Sequence, residues 1–203
     1  MDAVVLRSSE AGVIDRAAGA DAVPVINGGS LDDHPTQALA DICTLQRELG
    51  GVDGAKIAVF GRLEHRNVSA FLLVLALYSR IKVTLIPFSG QVDPLVTAYC
   101  TDKGVEFNTV DSIDTIEEVD AIYLNAPKTV AHAQLLRTRG ALKLSIDQGF
   151  MKRLKSHCVI LDPMQRSGDF DVGVQDKRLA FYRQAENALF VRMALLSSML
   201  GSG

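Results

Sequence analysis

Residues 56–87 read KIAVFGRLEHRNVSAFLLVLALYSRIKVTLIP, and this stretch decides the fold. An apolar run at 56–60 is followed by Gly61, a polar turn, an apolar helical pattern and a second strand at 82–87. That order predicts a strand–helix–strand unit, in which the two strands run parallel. Ligands of parallel sheets bind beyond the carboxyl ends of the strands, so we predict that the 61–67 turn is a binding loop.

The same alternation continues on both sides of this unit. Further strands are predicted at 4–6, 23–26, 105–107, 121–124 and 158–161. Helices are predicted at 9–18, 36–49, 68–79, 94–103, 129–137, 146–154 and 179–200. Alternating strands and helices indicate an α/β fold with a doubly wound parallel sheet. The strand ends at 125–128 and 162–166 should then join the 61–67 turn around one crevice.

Composition excludes several kinds of partner. The chain has 203 residues, 48% of them hydrophobic, which is enough for a large core. Its 21 basic and 24 acidic residues give a net charge of −3, so we expect no nucleic acid and no anionic membrane as partner. The apolar run at 71–78 is too short to span a bilayer, and no basic segment followed by an apolar core opens the chain. We expect a cytoplasmic protein.

The cysteines and histidines do not indicate a metal or disulfide framework. Cys43, Cys100 and Cys158 are widely separated, with no C-x-x-C spacing, and we expect reduced thiols that are mostly buried. The four histidines lack the i, i+4 pairing of a helical metal site. We therefore predict no metal and no cofactor.

A second stretch, HPTQALAD at 34–41, sets an imidazole and an amide at the start of an amphipathic helix. Apolar residues recur behind it at helical spacing, so one face is buried while His34 and Gln37 stay with the first turn. A carbonyl or phosphate oxygen there would meet free N–H groups and the positive end of the helix dipole. On general grounds, however, a His-Pro pair before a helix marks a boundary more often than a site.

Three segments nevertheless resemble one known family. VPVINGG at 23–29, HPTQALADICTL at 34–45 and YRQAENALFVRMALL at 182–196 are similar to the corresponding segments of aspartate carbamoyltransferases. HPTQ is a signature of the aspartate and ornithine carbamoyltransferase superfamily, and the flanks favour the aspartate type. The resemblance covers nearly the whole chain.

The resemblance implies a division of the chain. Residues 1–35 would be a remnant of the carbamoyl-phosphate domain, and 36–50 a helix that crosses to the acceptor-binding domain at 51–178. Residues 179–203 would be the C-terminal crossing helix. The family's Ser-x-Arg-Thr-Arg phosphate loop does not occur in these residues, and neither does the second basic loop that an adjacent subunit lends. We therefore expect the chain to lack most of the donor-binding half.

The resemblance also implies roles for three residues on the donor side. His34 would polarise the carbamoyl carbonyl, Gln37 would hold the carbamoyl amide, and Arg7 would lie against carbonyl and phosphate oxygens. Each has a structural alternative: a cap-region imidazole, an exposed first-turn residue and a solvated charge at a strand end.

On the acceptor side the chain departs from the family pattern. An Arg and a Gln that grip the acceptor's carboxylates are replaced by Ala126 and Lys128. Loss of a bidentate guanidinium partner from a carboxylate costs about 2–5 kcal/mol of binding. A lysine at 128 restores charge without the planar geometry. Arg66 or Asn67 stands near the position of a further acceptor-binding arginine.

The signature near the last strand has changed as well. The family's His-Pro-Leu-Pro-Arg type of sequence is replaced by Asp162, Pro163, Met164, Gln165 and Arg166. Pro163 and Arg166 persist, and with Met164 they are predicted to contact the acceptor. Asp162 adds a negative charge beside a site for an anionic amino acid, which costs affinity.

These observations leave three hypotheses. The first is an aspartate carbamoyltransferase-like protein of the pyrimidine-pathway type, incomplete or impaired as an isolated chain, whose ligands are carbamoyl phosphate and an amino acid. The alternative is a non-catalytic homologue that acts as an interaction or regulatory subunit. The third is a carbamoyltransferase for a neutral or cationic acceptor. Because the crossing helices would lack their usual cover, we expect a homo-oligomer or a partner carbamoyltransferase chain.

Overall fold

The computed structural model describes residues 2–113, 116, 118–125, 147–163 and 174–201. The helix predicted at 129–137 lies outside these residues. So do Ala126, Lys128, Met164 and Arg166, and their assignments stay predictions.

Strands and helices alternate as the sequence predicted. The strands are β1 Val4–Leu6, β2 Val25–Asn27, β3 Lys56–Arg62, β4 Lys82–Ser89, β5 Glu106–Thr109, β6 Ala121–Asn125 and β7 Val159–Leu161. The helices are α1 Val13–Gly19, α2 Pro35–Leu49, α3 Arg66–Leu75, α4 Pro94–Asp102, α5 Gln148–Arg153 and α6 Phe181–Leu200. The prediction for α1 was wrong at its start, because Gly12 at φ 68° precedes the helix in a left-handed conformation.

Five of the strands form one parallel sheet in the order β5-β4-β3-β6-β7. Ile57 of β3 lies opposite Val83 of β4 on one side and Ala121 of β6 on the other. The predicted doubly wound parallel sheet is thus confirmed. The remaining strands, β1 and β2, pair with each other in a separate two-stranded parallel sheet near the N-terminus.

Each face of the large sheet is covered by its own core. Ile57 and Val59 of β3 pack with residues of α2, α3 and α4, whereas Ala58 and Phe60 pack with residues of α5. Successive strand side chains point to opposite faces, and both faces are buried here. That is why β3 reads as a continuous apolar run instead of an alternating one.

The two helices that the resemblance identified as crossing helices contact each other. Arg183 of α6 binds Glu48 of α2, with Nε–Oε1 and Nη2–Oε2 distances of 2.5 and 2.9 Å. Asn187 Nδ2 donates to Thr44 Oγ1 at 3.0 Å. These bonds orient α6 against α2. The proposed domain division at 35, 50 and 178 stays a prediction.

Two of the three cysteines lie in the cores. Cys100 and Cys158 are buried, and burial raises the pKa of their thiols to about 11 and about 12. Cys43 is half-buried on α2. Among the residues that the structure describes, no helix combines the length and apolarity needed to cross a membrane.

Candidate functional site

A cleft of about 570 Å³ opens where the starts of α2 and α3, the end of β7 and the side of α6 meet. Six of the residues predicted to take part in catalysis or substrate binding line it: Arg7, His34, Gln37, Arg66, Asn67 and Pro163. The other lining residues are His65, Asp162, Phe181, Tyr182, Gln184, Ala185, Ala188 and Arg192. The structure therefore gathers every described candidate around one cavity, as expected at the carboxyl ends of parallel strands.

His34 precedes the first residue of α2 and is buried. Its backbone N–H donates to Asp33 Oδ1 at 2.7 Å, and its Nδ1 lies 3.5 Å from Thr36 Oγ1. Gly29 has a φ of 123°, and a Cβ there would lie 3.2 Å from His34 Nε2. Backbone therefore packs against the imidazole and limits its orientations.

The helix start offers fewer amide donors than the sequence suggested. Pro35 has no N–H, and the Gln37 N–H already donates to the His34 carbonyl at 3.0 Å. The expectation of an anion site built on free N–H groups of this turn stays a prediction. Polar side chains that line the cleft, among them Gln37, Arg66 and Asn67, add further donors.

Gln37 connects the cleft to a buried acid. Its Nε2 donates to Asp41 Oδ1 at 2.7 Å, and Gln184 Nε2 from α6 donates to the same oxygen at 2.7 Å. The Tyr123 hydroxyl from β6 donates to Asp41 Oδ2 at 3.0 Å. Burial raises the pKa of Asp41 to about 7, against the lowering by these donors and by the charge of Arg192.

Arg66 and Asn67 both face the cleft from the first turn of α3, so the structure does not choose between them. The His65 ring nitrogen Nδ1 accepts from the Asn67 N–H at 3.2 Å and caps the helix. An Nη1 of Arg66 donates to the Ser30 carbonyl. Burial and the nearby charge of Arg7 lower the pKa of Arg66. Two guanidinium groups thus lie close together at one wall.

Within the described parts of the chain, Arg66 Nε and Asn67 Oδ1 are buried atoms with no hydrogen-bond partner. Buried polar atoms are seldom left unsatisfied unless they serve a ligand or water. A donor and an acceptor of this kind, on adjacent residues of a cleft wall, suit a small ligand that carries both oxygen and N–H groups.

Asp162 lines the same cleft and is buried. Its backbone N–H donates to Gln184 Oε1 at 2.9 Å, which ties the end of β7 to α6. Its carboxylate therefore shares a cavity with the guanidinium groups of Arg7, Arg66 and Arg192. The cavity offers positive groups for an anion and one negative group for an amine or cation.

Gly61 shapes the loop that leads into α3. It has a φ of 128°, and a Cβ built on it would lie 2.2 Å from the Asn125 carbonyl oxygen. The register of β3 against β4 shifts between Gly61 and Arg62. Asn125 Nδ2 then donates to the Arg62 carbonyl at 2.7 Å. This bulge and close approach direct the chain toward the cleft.

Sequence reasoning did not place Asp41, Gln184 or Arg192 at the site. Gln184 and Asn187 are uncharged polar residues one turn apart in α6, so they share a helix face, and both are buried. Asp41 stands four residues after Gln37, so both side chains share a helix face. Local sequence therefore indicates that these polar residues share helix faces. It does not indicate that Gln184 bonds to Asp41, 143 residues away in sequence.

The chemical capacity of the cleft follows from its side chains. Guanidinium groups and an imidazole surround the space in which an oxyanion could develop, and such preorganised groups stabilise charge in acyl-type transfers. Among the described residues, no group of three His, Cys, Asp or Glu side chains could hold a metal ion.

Comparison with known proteins gives two family matches. A profile described as "Aspartate/ornithine carbamoyltransferase, Asp/Orn binding domain" matches residues 53–199. A second profile, "Aspartate/ornithine carbamoyltransferase, carbamoyl-P binding domain", matches residues 1–47. The first match ends within α2 and the second begins after that helix, and the division at 35, 50 and 178 stays a prediction.

Individual relatives agree with these matches. Aspartate carbamoyltransferase 3 of Pisum sativum is 33% identical over 98% of this chain and 53% of its own length. The aspartate carbamoyltransferase of Oryza sativa subsp. japonica is 34% identical over 98% of this chain and 57% of its own length. The chain thus spans about half the length of these curated relatives. Both relatives are named as chloroplastic, so a cytoplasmic location stays a prediction.

The fold agrees with a solved structure as well. A crystal structure of aspartate transcarbamoylase from Trypanosoma cruzi in complex with phosphate superposes with a TM-score of 0.87 at 30% identity. The match covers 98% of this chain and 68% of that one.

Proposed function

Because the chain belongs to the aspartate/ornithine carbamoyltransferase family, we propose that its cleft takes part in carbamoyl transfer from carbamoyl phosphate to an amino-acid amine. We propose further that the 203 residues are impaired in this reaction as an isolated chain. Carbamoyl phosphate and an amino acid are the proposed ligands.

One observation carries the proposal. Arg7 follows β1, His34 and Gln37 open α2, and Arg66 opens α3, yet all four side chains line one cleft. In the proposed reaction the amine nitrogen forms a bond to the carbamoyl carbon, and the bond from that carbon to the phosphate oxygen breaks. The amine loses a proton, and the departing phosphate takes the negative charge.

Each residue has a proposed part in that reaction. His34 would polarise the carbamoyl carbonyl, where charge grows as the tetrahedral intermediate forms. Arg7 would neutralise carbonyl and phosphate oxygens, and Gln37 would hold the carbamoyl amide. Arg66, Asn67 and Pro163 would contact the acceptor, with Lys128, Met164 and Arg166 proposed from sequence alone.

The impairment is proposed because the residues that should bind the phosphate are few. No Ser-x-Arg-Thr-Arg sequence occurs among the 203 residues. We expect isothermal titration of the purified chain with carbamoyl phosphate to give a Kd weaker than about 1 mM, about 4 kcal/mol of binding at most. A thermal melt in the same buffer controls for folding. A micromolar Kd, or rapid synthesis of N-carbamoyl-aspartate by the chain alone, contradicts the proposed impairment.

Substitution of Asp162 tests which class of amino-acid acceptor the cleft binds. Replacement Asp162→Asn removes a buried negative charge from the cleft while it keeps the backbone bond to Gln184. We expect L-aspartate to bind about tenfold more tightly, equal to about 1.4 kcal/mol, because a like-charge contact is lost. Chemical-shift titration by NMR measures the millimolar range. Asp93→Asn, which removes an exposed carboxylate at the start of α4, is the matched control. Weaker L-aspartate binding by Asp162→Asn would contradict this expectation and would indicate that the carboxylate contacts the amine of the acceptor.

The second candidate is a non-catalytic homologue that acts as an interaction or regulatory subunit. Exposed apolar side chains along α6 favour it, among them Leu189 and Met193, each 56% exposed. Addition of a separately expressed carbamoyl-phosphate domain from the pea relative separates the candidates. Restored synthesis of N-carbamoyl-aspartate supports the enzyme, and continued inactivity of a mixture that forms a complex supports the subunit. An oligomer or partner carbamoyltransferase chain stays a proposal.

A further inference from the structure

The buried acid behind the cleft has a hydrogen-bond arrangement with two possible forms. Asp41 is 0% exposed and receives both amide donors, from Gln37 and Gln184, on Oδ1. Among the described residues, the Tyr123 hydroxyl alone donates to its other oxygen, Oδ2, at 3.0 Å. The same hydroxyl oxygen lies 3.4 Å from the Asn67 carbonyl oxygen. Tyr123 therefore stands between two acceptors.

The three groups that donate to Asp41 differ in whether they can also accept a hydrogen bond. An amide NH₂ can only donate, whereas a hydroxyl can donate and accept at once. If Asp41 gains a proton on Oδ2, that proton points at the Tyr123 oxygen, and Tyr123 can turn its own hydrogen to the Asn67 carbonyl. Both amide bonds to Oδ1 survive this exchange. Asp41 and the Tyr123 hydroxyl then keep hydrogen-bond partners in both protonation states.

We propose that Asp41 is a positioning residue of the cleft, whose proton decides whether the Tyr123 hydroxyl bonds to Asp41 or to the Asn67 carbonyl. Gln37 and Asn67 line the cleft, so the importance of this switch for catalysis rests on the proposed function. With Asp41 ionised, charge-assisted bonds hold the Gln37 amide more tightly. With Asp41 neutral, the hydrogen bond from Gln37 weakens, and the Asn67 carbonyl in the first turn of α3 accepts a bond from Tyr123.

The surroundings of Asp41 favour titration of its carboxyl group near neutral pH. Burial raises the pKa of Asp41 to about 7, and Arg192 on α6 opposes that rise. The pKa of Tyr123 lies well above its usual range, so the phenol keeps its hydrogen throughout. The other charged or titratable residues described along the same cleft come from several elements: Arg7 after β1, His34 at the start of α2, His65 and Arg66 at the start of α3, Asp162 after β7 and Tyr182 on α6.

The test follows individual groups by NMR between pH 5 and 9 and needs no ligand. In the wild-type chain we expect the Asp41 carboxyl carbon to shift with a midpoint near 7. The side-chain amide of Gln37 should shift with the same midpoint. So should the backbone nitrogen of Val68, because its peptide contains the Asn67 carbonyl.

Three variants distinguish the parts of the switch. Asp41→Asn donates permanently to Tyr123, so the pH-dependent shifts of Gln37 and Val68 should be lost. Tyr123→Phe cannot reach the Asn67 carbonyl, so the Val68 shift should be lost while the Gln37 shift remains. Asp93→Asn, at the exposed start of α4, should change neither.

Two results would overturn the proposal. One is a constant chemical shift of the Asp41 carboxyl carbon in the wild-type chain from pH 5 to 9. This measurement does not depend on whether any variant folds. The other is a Gln37 amide that titrates unchanged in Asp41→Asn, which would assign the titration to an imidazole. The carbamoyl-phosphate and turnover experiments test the proposed function alone, because the NMR titration of Asp41 uses no substrate.

Discussion

Replacement Gly61→Ala is expected to destabilise the fold by more than about 3 kcal/mol, at the upper end of what single substitutions do. Gly61 has a φ of 128°, which L residues rarely adopt, and a new Cβ would lie 2.2 Å from the Asn125 carbonyl oxygen. The obstacle is backbone in the adjacent central strand and cannot rotate away. To accept the methyl group, β3 and β6 must separate where they lead into the cleft. Urea denaturation followed by circular dichroism measures the loss.

Gly54→Ala is the matched control, because Gly54 also has a positive φ, of 77°, but nothing lies within 4 Å of its Cβ position. That variant should lose only the strain of a left-handed alanine, about 1–2 kcal/mol. Gly19→Ala, with neither a positive φ nor a near neighbour, should change stability little. Equal losses in Gly61→Ala and Gly54→Ala would show that the contact with Asn125 is not what limits residue 61.

The pH dependence of stability should carry a large contribution from Asp41. Its pKa rises from 3.8 in the unfolded chain to about 7 in the fold, so the fold favours the neutral acid. This contribution is complete below about pH 4 and is lost as pH rises through 7. Its size is about 4 kcal/mol, from about 1.4 kcal/mol for each pKa unit.

The measurement is the free energy of unfolding from urea titrations at several pH values between 4 and 8. Wild type minus Asp41→Asn isolates the effect, because other groups titrate in both chains. Asp176, for example, contributes with the opposite sign, since the bond to Arg178 lowers its pKa to about 2. The difference should fall as pH rises from 4 to 7 and then stay level. Parallel curves for the two chains would show that Asp41 is ionised throughout.

Much of the fold could be predicted because the relevant signals are local. The apolar run of β3 and the helical spacing behind His34 each identify an element without reference to distant residues. The strand–helix alternation then restricts the topology to a parallel sheet, and the ligand cleft to its carboxyl edge. The start of α1 was missed because the conformation of Gly12 does not follow from apolar spacing.

The candidate site could be predicted only in part. Arg7, His34, Gln37, Arg66 and Asn67 were found because they adjoin strand ends or carry a family signature. Gln184 and Arg192 were not, although they line the same cleft. Their position depends on how α6 packs against α2, and no local pattern encodes that contact.

The sequence by itself determined the elements, their parallel arrangement, the family and the residues at the strand ends, because hydrophobic periodicity and short motifs are properties of neighbouring residues. Tertiary structure alone decided that Asp41 meets Tyr123 across 82 residues and Gln184 across 143. Asp41 is a fully buried acid because of the tertiary structure, since burial and hydrogen bonding depend on what packs around a side chain.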